Sequence, residues 1–293
     1  MQSGYIFVPP LYHYTDTSGF MGIIESGSLW ATRASFLNDT RGFSAGREAI
    51  TQWLIDELPN EAVRKFSKLI LDLLFVPRIG DSLFISSLSV QGDRLSQWRA
   101  YAPTCGYCLE FDLRASPLEH MPVPVTYVHD GWRPSEEDGL LPSALRESFH
   151  TIASEYFDSV KPYAHIEDED RESAREEIAK HLQEFIRTDE FVRMVASAAT
   201  CKDNSFTEEE EWRIILFPAK GRDERIRYRK SPLGLTPYIP IDISHETGRL
   251  PLRSVTIGPG PEIDLRCRTA KEFLYSHGYT STPVRPSASP LRV

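Results

Sequence analysis

Four consecutive glutamates stand directly before an apolar segment, in Glu208-Glu209-Glu210-Glu211-Trp212-Arg213. In an extended chain, side chains two residues apart point the same way, so Glu209 and Glu211 are expected to project together. Two carboxylates that share a site can divide acid, base and electrostatic roles, because like charge and partial burial raise the pKa of one of them. The run fits a charged, solvated strand end equally well, and Arg213 could simply pair with a carboxylate.

His13 is the second candidate for chemistry, and it lies between two aromatic residues in Tyr12-His13-Tyr14. An imidazole at the end of a predicted strand suits either a buried hydrogen bond or a donor that binds a ligand. Ser87, like Ser86 and Ser89, is a small polar residue in a predicted strand that is otherwise apolar. Its hydroxyl could line a cleft or bond to neighbouring backbone groups.

Trp98 and Tyr101 are three residues apart on a predicted helical turn, so they share a face that could be core or could stack on a flat ring. Cys105 and Cys108 form a C-x-x-C without a second pair of zinc ligands, so we expect them to pack and predict no metal site. Phosphate loops, glycine-rich dinucleotide fingerprints, H-E-x-x-H and G-x-S-x-G are all absent from the sequence.

Strands and helices must position these residues. A strand over Tyr5 to Tyr14 is predicted to lead into a helix that begins at Thr15-Asp16-Thr17 and ends at Gly27. Hydrophobic periodicity predicts further helices around Ile50 to Leu58, Val63 to Leu74, Arg94 to Tyr101 and Ile263 to His277. The further predicted strands are Leu83 to Ser89, Gly106 to Phe111, Val123 to Val128, Trp212 to Phe217, Tyr238 to Ile243 and Ser254 to Ile257.

This order of elements predicts an α+β fold: a mixed, mainly antiparallel sheet with flanking helices. We expect one domain over residues 1–293, with a helical insertion at residues 134–200 that contains an acidic stretch. The net charge of −9 argues against a general polyanion-binding surface, and the basic run from Arg222 to Lys230 is interpreted as a solvated strand or turn. Without a signal-peptide pattern or a long apolar run, the sequence predicts a cytoplasmic protein.

Six short motifs occur in order along the chain. They are Tyr12-His13-Tyr14-Thr15, Phe36-Leu37-Asn38-Asp39, Ser96-Gln97-Trp98-Arg99-Ala100-Tyr101, Glu209 to Arg213, Ile257-Gly258-Pro259 and Ser287 to Arg292. Together they resemble the bacterial domain-of-unknown-function family 2971 over most of the chain. The acid that usually follows Asn-Asp in that family is not obvious in Thr40-Arg41-Gly42-Phe43.

The order of a histidine on the first strand, serine or aromatic residues in the middle and a glutamate on a late strand resembles the ADP-ribosyltransferase layout. The resemblance implies an ADP-ribosyltransferase-like fold and NAD as a substrate. His13 would hold the adenosine-side ribose, Tyr101 or Trp98 would stack on nicotinamide, Glu211 would be catalytic, and Glu209 would position the acceptor. The residues implied to bind NAD are His13, Tyr14, Ser87, Trp98, Tyr101 and Arg213.

These implications predict transfer of ADP-ribose to a macromolecular acceptor, protein or nucleic acid, in the setting of a bacterial toxin or phage defence. Fold-level analogy does not establish a function, so two alternatives stay open. One is a non-catalytic module that binds a nucleotide or partner in the same cleft. The other is a hydrolase that uses Glu209 and Glu211 as oxygen ligands for Mg²⁺.

Overall fold

The structure, a computed structural model, describes most of the residues that the candidate site needs. The described residues are 8–37, 40–56, 61, 64, 68, 83–103, 105–114, 117, 120–129, 131–132, 151, 154–155, 157–158, 161–163, 189–218, 223–244 and 249–289. Three sequence features lie outside or mostly outside them: the Asn38-Asp39 pair, the predicted helix over Val63 to Leu74, and the predicted insertion at residues 134–200.

The chain divides into two compact units. The first comprises residues 1–36, 83–125 and 206–293, and the second comprises residues 37–82 and 126–205. The strands are β1 Leu11–Thr15, β2 Leu29–Arg33, β3 Phe84–Ser89, β4 Tyr107–Phe111, β5 Val123–Pro124, β6 Thr126–Val128, β7 Cys201–Asp203, β8 Glu211–Leu216, β9 Arg227–Ser231, β10 Gly234–Ile241, β11 Leu252–Ile257 and β12 Val284–Pro286. The α-helices are α1 Thr17–Ser26, α2 Thr40–Asp56, α3 Leu95–Tyr101, α4 Asp189–Ala199 and α5 Ile263–Ser276.

The first unit contains a ten-stranded sheet with the order β12-β11-β4-β1-β3-β2-β10-β9, and β8 and β5 branch from β3. Within this sheet β11 and β12 run parallel, and the other pairs are antiparallel. The predicted α+β class with a mainly antiparallel sheet is therefore confirmed. No helix within the described ranges is long and apolar enough to cross a bilayer.

The sheet divides at β3. Strand β8 pairs with β3 along its whole length, from Phe84 to Ser89, and so occupies one edge. The other edge is shared, because β1 pairs there through Ser89 and β2 pairs through Phe84 and Ile85. Between these pairings, at residues 86–88, the edge of β3 has no strand partner, and we call this gap the β1–β2 opening.

The two faces of the sheet differ in composition. One face carries the main apolar core, to which Leu11, Phe84, Leu109 and Ile214 contribute. The opposite face carries a smaller cluster. Its members are Tyr14, Trp98, Ala102 and Cys108, with Tyr12 and Tyr101 packed against them.

Helix α1 has the ends that its sequence predicts. The Asp16 carboxylate accepts a hydrogen bond from the Gly19 amide at 2.7 Å, which caps the first turn, and Gly27 ends the helix in a left-handed conformation with φ of 63°. Phe20 stacks on Tyr107 of β4 with ring centroids 4.2 Å apart. The helix thereby covers the core face of the sheet beside β1.

The second unit contains α2, α4 and a two-stranded parallel sheet of β6 and β7. The single strand predicted over Val123 to Val128 is wrong, because this segment passes from one sheet to the other. The Val125 amide bonds to the Glu211 carbonyl in the first unit, whereas the Thr126 amide bonds to the Thr200 carbonyl in the second. Pro124 has no amide proton to continue a single ladder.

Candidate functional site

A turn, and not an extended strand, presents the glutamates. Glu208 and Glu209 belong to a 3-10 helix over Asn204–Glu209, Glu210 has a left-handed backbone with φ of 43°, and Glu211 begins β8. The extended geometry predicted for this run is therefore wrong. A left-handed conformation costs a residue with a Cβ roughly 1–2 kcal/mol, so the surrounding contacts must hold this turn in place.

Tyr101 lies close to the carboxylates of Glu209 and Glu211, which flank Glu210 in the sequence. Its hydroxyl donates to Glu209, with Oε1 at 3.0 Å and Oε2 at 3.1 Å. Burial raises the pKa of Tyr101 far above its usual value, and the negative charges of Glu209 and then Glu211 raise it further. The phenol therefore stays protonated, and both carboxylates lie within electrostatic range of one hydroxyl group.

Glu211 and Arg213 form a buried ion pair on β8. Arg213 Nε lies 2.8 Å from Glu211 Oε1, Nη2 lies 3.2 Å from Oε2, and each residue is 4% exposed. This two-point geometry fixes the orientation of the carboxylate. Because a strand alternates, both side chains lie on the face that also carries Ser87 and Ser89, their register partners on β3.

The outer side of the turn is fastened to the loop before α3. Glu210 accepts hydrogen bonds from Gln91 Nε2 at 2.8 Å and from Arg94 Nη1 at 3.0 Å. On the inner side, the Ser89 hydroxyl donates to the Glu209 carbonyl at 2.7 Å. These contacts offset the strain at Glu210. We call Tyr101, Glu209, Glu211 and Arg213 the carboxylate cluster.

The aromatic candidates differ in accessibility. Trp98 is fully buried, its indole N–H donates to Asp93 at 2.7 Å, and its ring meets Tyr14 edge-on at 4.8 Å. Tyr14 is buried as well, and its hydroxyl donates to the Gln91 carbonyl at 2.7 Å. Tyr101 is only partly buried. Of the two residues implied to stack on nicotinamide, Tyr101 is the one that reaches the surface.

His13 lies at the β1–β2 opening. Its Nδ1 is 3.0 Å from the Ser87 carbonyl, which can only accept, so Nδ1 carries the proton. Burial lowers the pKa of His13, and the positive charge of Arg229 lowers it further against the opposing effect of the Ser87 bond. The imidazole is therefore neutral near pH 7, and its Nε2 is a hydrogen-bond acceptor.

The structure thus brings four of the predicted site residues into one cluster, with Ser87 on the same face of the sheet. His13 shares a side of β1 with Leu11, whereas Tyr14 points to the face of the carboxylate cluster. His13 therefore lies at the neighbouring opening and not in the cluster. Groups of three or more His, Cys, Asp or Glu side chains arranged to hold a metal are absent from the residues that the structure describes.

Two residues near the site were not singled out from the sequence. Asp93 precedes α3 and accepts hydrogen bonds from Trp98, Ser287 and the Ala288 amide. Arg229 lies inside the basic run that we interpreted as a solvated strand or turn; it is on β9 but is partly buried. The motif from Ser287 to Arg292 could have indicated Asp93. Nothing in the sequence distinguishes Arg229 from its basic neighbours.

Comparison with known proteins gives one match. Residues 97–214 match the model of a family described as "Protein of unknown function (DUF2971)". No curated protein and no solved structure matches the chain. The matched segment includes the whole carboxylate cluster and leaves out His13, so the cluster lies in a segment similar to a family whose description assigns no activity.

Proposed function

We propose that this protein is an ADP-ribosyltransferase-like enzyme that uses NAD and transfers ADP-ribose to a macromolecular acceptor. The observation that carries the proposal is the carboxylate cluster, in which an oriented glutamate and a second glutamate lie near one partly exposed tyrosine. The ADP-ribosyltransferase-like fold, with its NAD cleft at the β1–β2 opening, is part of the same proposal.

The chemistry requires a fixed negative charge. When the bond between the ribose and nicotinamide breaks, its electron pair leaves with nicotinamide and the ribose becomes oxocarbenium-like. Glu211 stabilises this positive charge, because Arg213 holds its carboxylate in a fixed orientation before the reaction begins. The acceptor then forms a bond to the ribose carbon, and its nucleophile loses a proton, which the carboxylate of Glu209 accepts.

The remaining residues bind and orient the substrate. Neutral His13 has an acceptor nitrogen that suits a ribose hydroxyl, and Tyr101 offers a partly exposed ring for nicotinamide. Ser87 supplies the carbonyl that fixes the tautomer and the position of the imidazole. These roles follow the resemblance and agree with the accessibility of each group.

A non-catalytic binding module is the second candidate, and one observation favours it. Glu211 is 4% exposed and both of its carboxylate oxygens bond to Arg213, which is the arrangement of a structural ion pair. In this case the opening would hold a nucleotide or partner without turnover. The magnesium-dependent hydrolase stays a prediction, and it would require Glu209 and Glu211 to exchange their present partners for the ion.

Nicotinamide release from NAD, measured with and without cell lysate, tests the proposal. We expect Glu211→Gln and Glu209→Gln to lower the rate at least about 100-fold, by comparison with other preorganised electrostatic sites. Glu208→Gln is the matched control, because Glu208 is an exposed carboxylate of the same run. Its rate should stay within about twofold of the native value, since a solvated charge contributes little.

Protein stability must be measured alongside. Removing one partner of a buried ion pair costs about 3–5 kcal/mol, so Glu211→Gln could lose activity by unfolding. Glu209→Gln and Tyr101→Phe leave that pair intact and keep the test decisive. No release by the native protein, or equal release by all the variants, would overturn the proposal, and NAD binding without release would support the binding module.

A further inference from the structure

Arg229 is a cation whose pKa is lowered by burial, and the negative charge of the Asp16 carboxylate opposes this shift. Its guanidinium is partly buried on β9, and it forms no salt bridge with any residue that the structure describes. Nη2 donates to the Thr32 hydroxyl at 3.1 Å, whereas Nε is enclosed and has no hydrogen-bond partner. An enclosed donor without an acceptor costs about 1–3 kcal/mol, so this group is expected to have a function.

A second enclosed donor lies beside it. The guanidinium carbon of Arg229 is 5.8 Å from the centre of the Trp30 ring, and the indole N–H of Trp30 likewise has no hydrogen-bond partner among the described residues. Tyr238 packs on the same indole with ring centroids 4.8 Å apart, which holds Trp30 in place. These two enclosed donors and the Thr32 hydroxyl group form a cluster, which we call the donor cluster, and its chemistry suits a ligand rich in hydrogen-bond acceptors.

The register of the strands places the residues of the donor cluster on one face of the sheet. Arg229 pairs with Thr236, and Tyr238 pairs with Thr32, so the side chains of Arg229 and Thr32 emerge on the same face across β10. The charge of Arg229 also reaches His13, whose pKa it lowers. Arg229 and His13 therefore lie within electrostatic range of each other.

We propose that Arg229, Trp30 and Thr32 form a binding site for the phosphate groups of a small diphosphate-bearing ligand. A guanidinium fork matches the oxygen geometry of phosphate at two points, and partial burial strengthens such bonds. The inference of this site does not depend on the proposed function. It rests on that function only for the identity of the ligand, since NAD carries a diphosphate.

Calorimetric titration of the full chain with inorganic diphosphate, and separately with ADP-ribose, tests this site at fixed ionic strength. Charge-assisted hydrogen bonds contribute about 1.5–3 kcal/mol, so Arg229→Gln should weaken binding of both probes roughly 10- to 100-fold. Arg229→Lys keeps the charge but loses the fork, and an intermediate loss is expected.

Arg227→Gln is the matched control. Arg227 is on the same strand, is exposed, and donates to the backbone carbonyls of Glu224 and Ile226. Its removal should change the affinity less than about twofold, because exposed charges contribute little at moderate ionic strength. Equal weakening by Arg227→Gln and Arg229→Gln would show general charge attraction and would overturn the site, as would failure of the native chain to bind diphosphate.

The two proposals can fail separately. Diphosphate binding that depends on Arg229, without nicotinamide release under any condition, would retain the site and remove the proposed function. Nicotinamide release with an unchanged KM for NAD in Arg229→Gln would retain the function and remove the site. Urea unfolding of Arg229→Gln beside the native chain checks that a loss of binding does not come from unfolding.

Discussion

The titration of His13 makes the free energy of unfolding depend on pH. The neutral ring of His13 lies at the β1–β2 opening and donates Nδ1–H to the Ser87 carbonyl. Burial lowers its pKa below the ordinary value of 6.5. When the pH falls below about 6.5, the unfolded chain binds a proton at this residue before the folded chain does, so the free energy of unfolding decreases. The decrease ends at the lower pKa of the folded state.

We predict that His13→Asn removes this share of the pH dependence. The Asn amide keeps a donor near the position of Nδ1 but does not titrate in this range. Urea unfolding at pH 7.5 and 5.5 should give a smaller loss of stability for the variant than for the native chain. Equal losses would show that His13 titrates normally in the folded protein.

The positions of individual site residues were predictable only where side chains alternate with the two-residue period of a strand. Arg213 follows Glu211 by two residues within β8, and its pairing with a carboxylate, which we left open as an alternative to a role in binding, is observed at 2.8 Å. The position of Glu209 was not predictable, because it depends on a 3-10 turn and on a left-handed Glu210. Glutamate carries no local signal for that conformation, and contacts from Gln91 and Arg94 select it.

Among the elements, α3 is the one that positions Tyr101, and Asp93 anchors it. The Asp93 carboxylate accepts from the buried indole of Trp98 in α3, and from Ser287 and the Ala288 amide just after β12. One side chain thus joins α3 to a segment almost 200 residues later, with a sequence separation of 195 to Ala288. Loosening this junction should affect Tyr101 through the helix.

Asp93→Ala should lower the free energy of unfolding by about 1–2 kcal/mol, because it leaves the buried Trp98 N–H without an acceptor. Asp112→Ala is the control, since Asp112 pairs with the exposed side chains of Arg114 and Arg253 and not with a buried donor, so its removal should cost less than about 1 kcal/mol. Urea midpoints compare the two variants. A smaller loss for Asp93→Ala than for Asp112→Ala would contradict the anchoring role.

Elements with strong local signals were predictable, and those made by tertiary pairing were not. The Asp16 cap and Gly27 predicted both ends of α1. Strand β12 was not predicted, because its strand state comes from parallel pairing with β11. Strand β2 was missed, since its five residues carry no turn signal at their start other than Ser28.

For the whole molecule, the division into two units has a consequence for local stability. In the second unit, a Cβ added at Gly46 would lie 2.3 Å from the Cys201 Cβ and 2.9 Å from the Ala198 carbonyl oxygen. Helix α2 therefore packs against α4 and β7 too closely for any side chain at this position. Compact units of this kind can open separately.

Gly46→Ala should destabilise the second unit by about 1–3 kcal/mol through overpacking. Hydrogen exchange would reveal this as faster exchange of amides in α4 and β7. Amides of β11, in the first unit, serve as the internal control and should be unaffected. Equal acceleration in both places would mean that the two units unfold as one.

The strand order could not be predicted from the sequence. Period-two patterns indicate strands but contain no information on partners, and Tyr14 pairs with Cys108 in this sheet. The division of β3's edge between β1 and β2 likewise depends on long-range pairing. The class of fold follows from the sequence, whereas the opening that holds His13 does not.

The outermost strands of the sheet also bear on how the protein behaves when concentrated. An unpaired strand edge can template pairing with another molecule and begin aggregation. Strand β9 carries the charges of Arg227 and Lys230 at one end of the order, β12 is three residues long and ends in Pro286, and β5 is two residues long and ends in Pro124. Charge, shortness and proline therefore protect these three edges against the growth of intermolecular sheets.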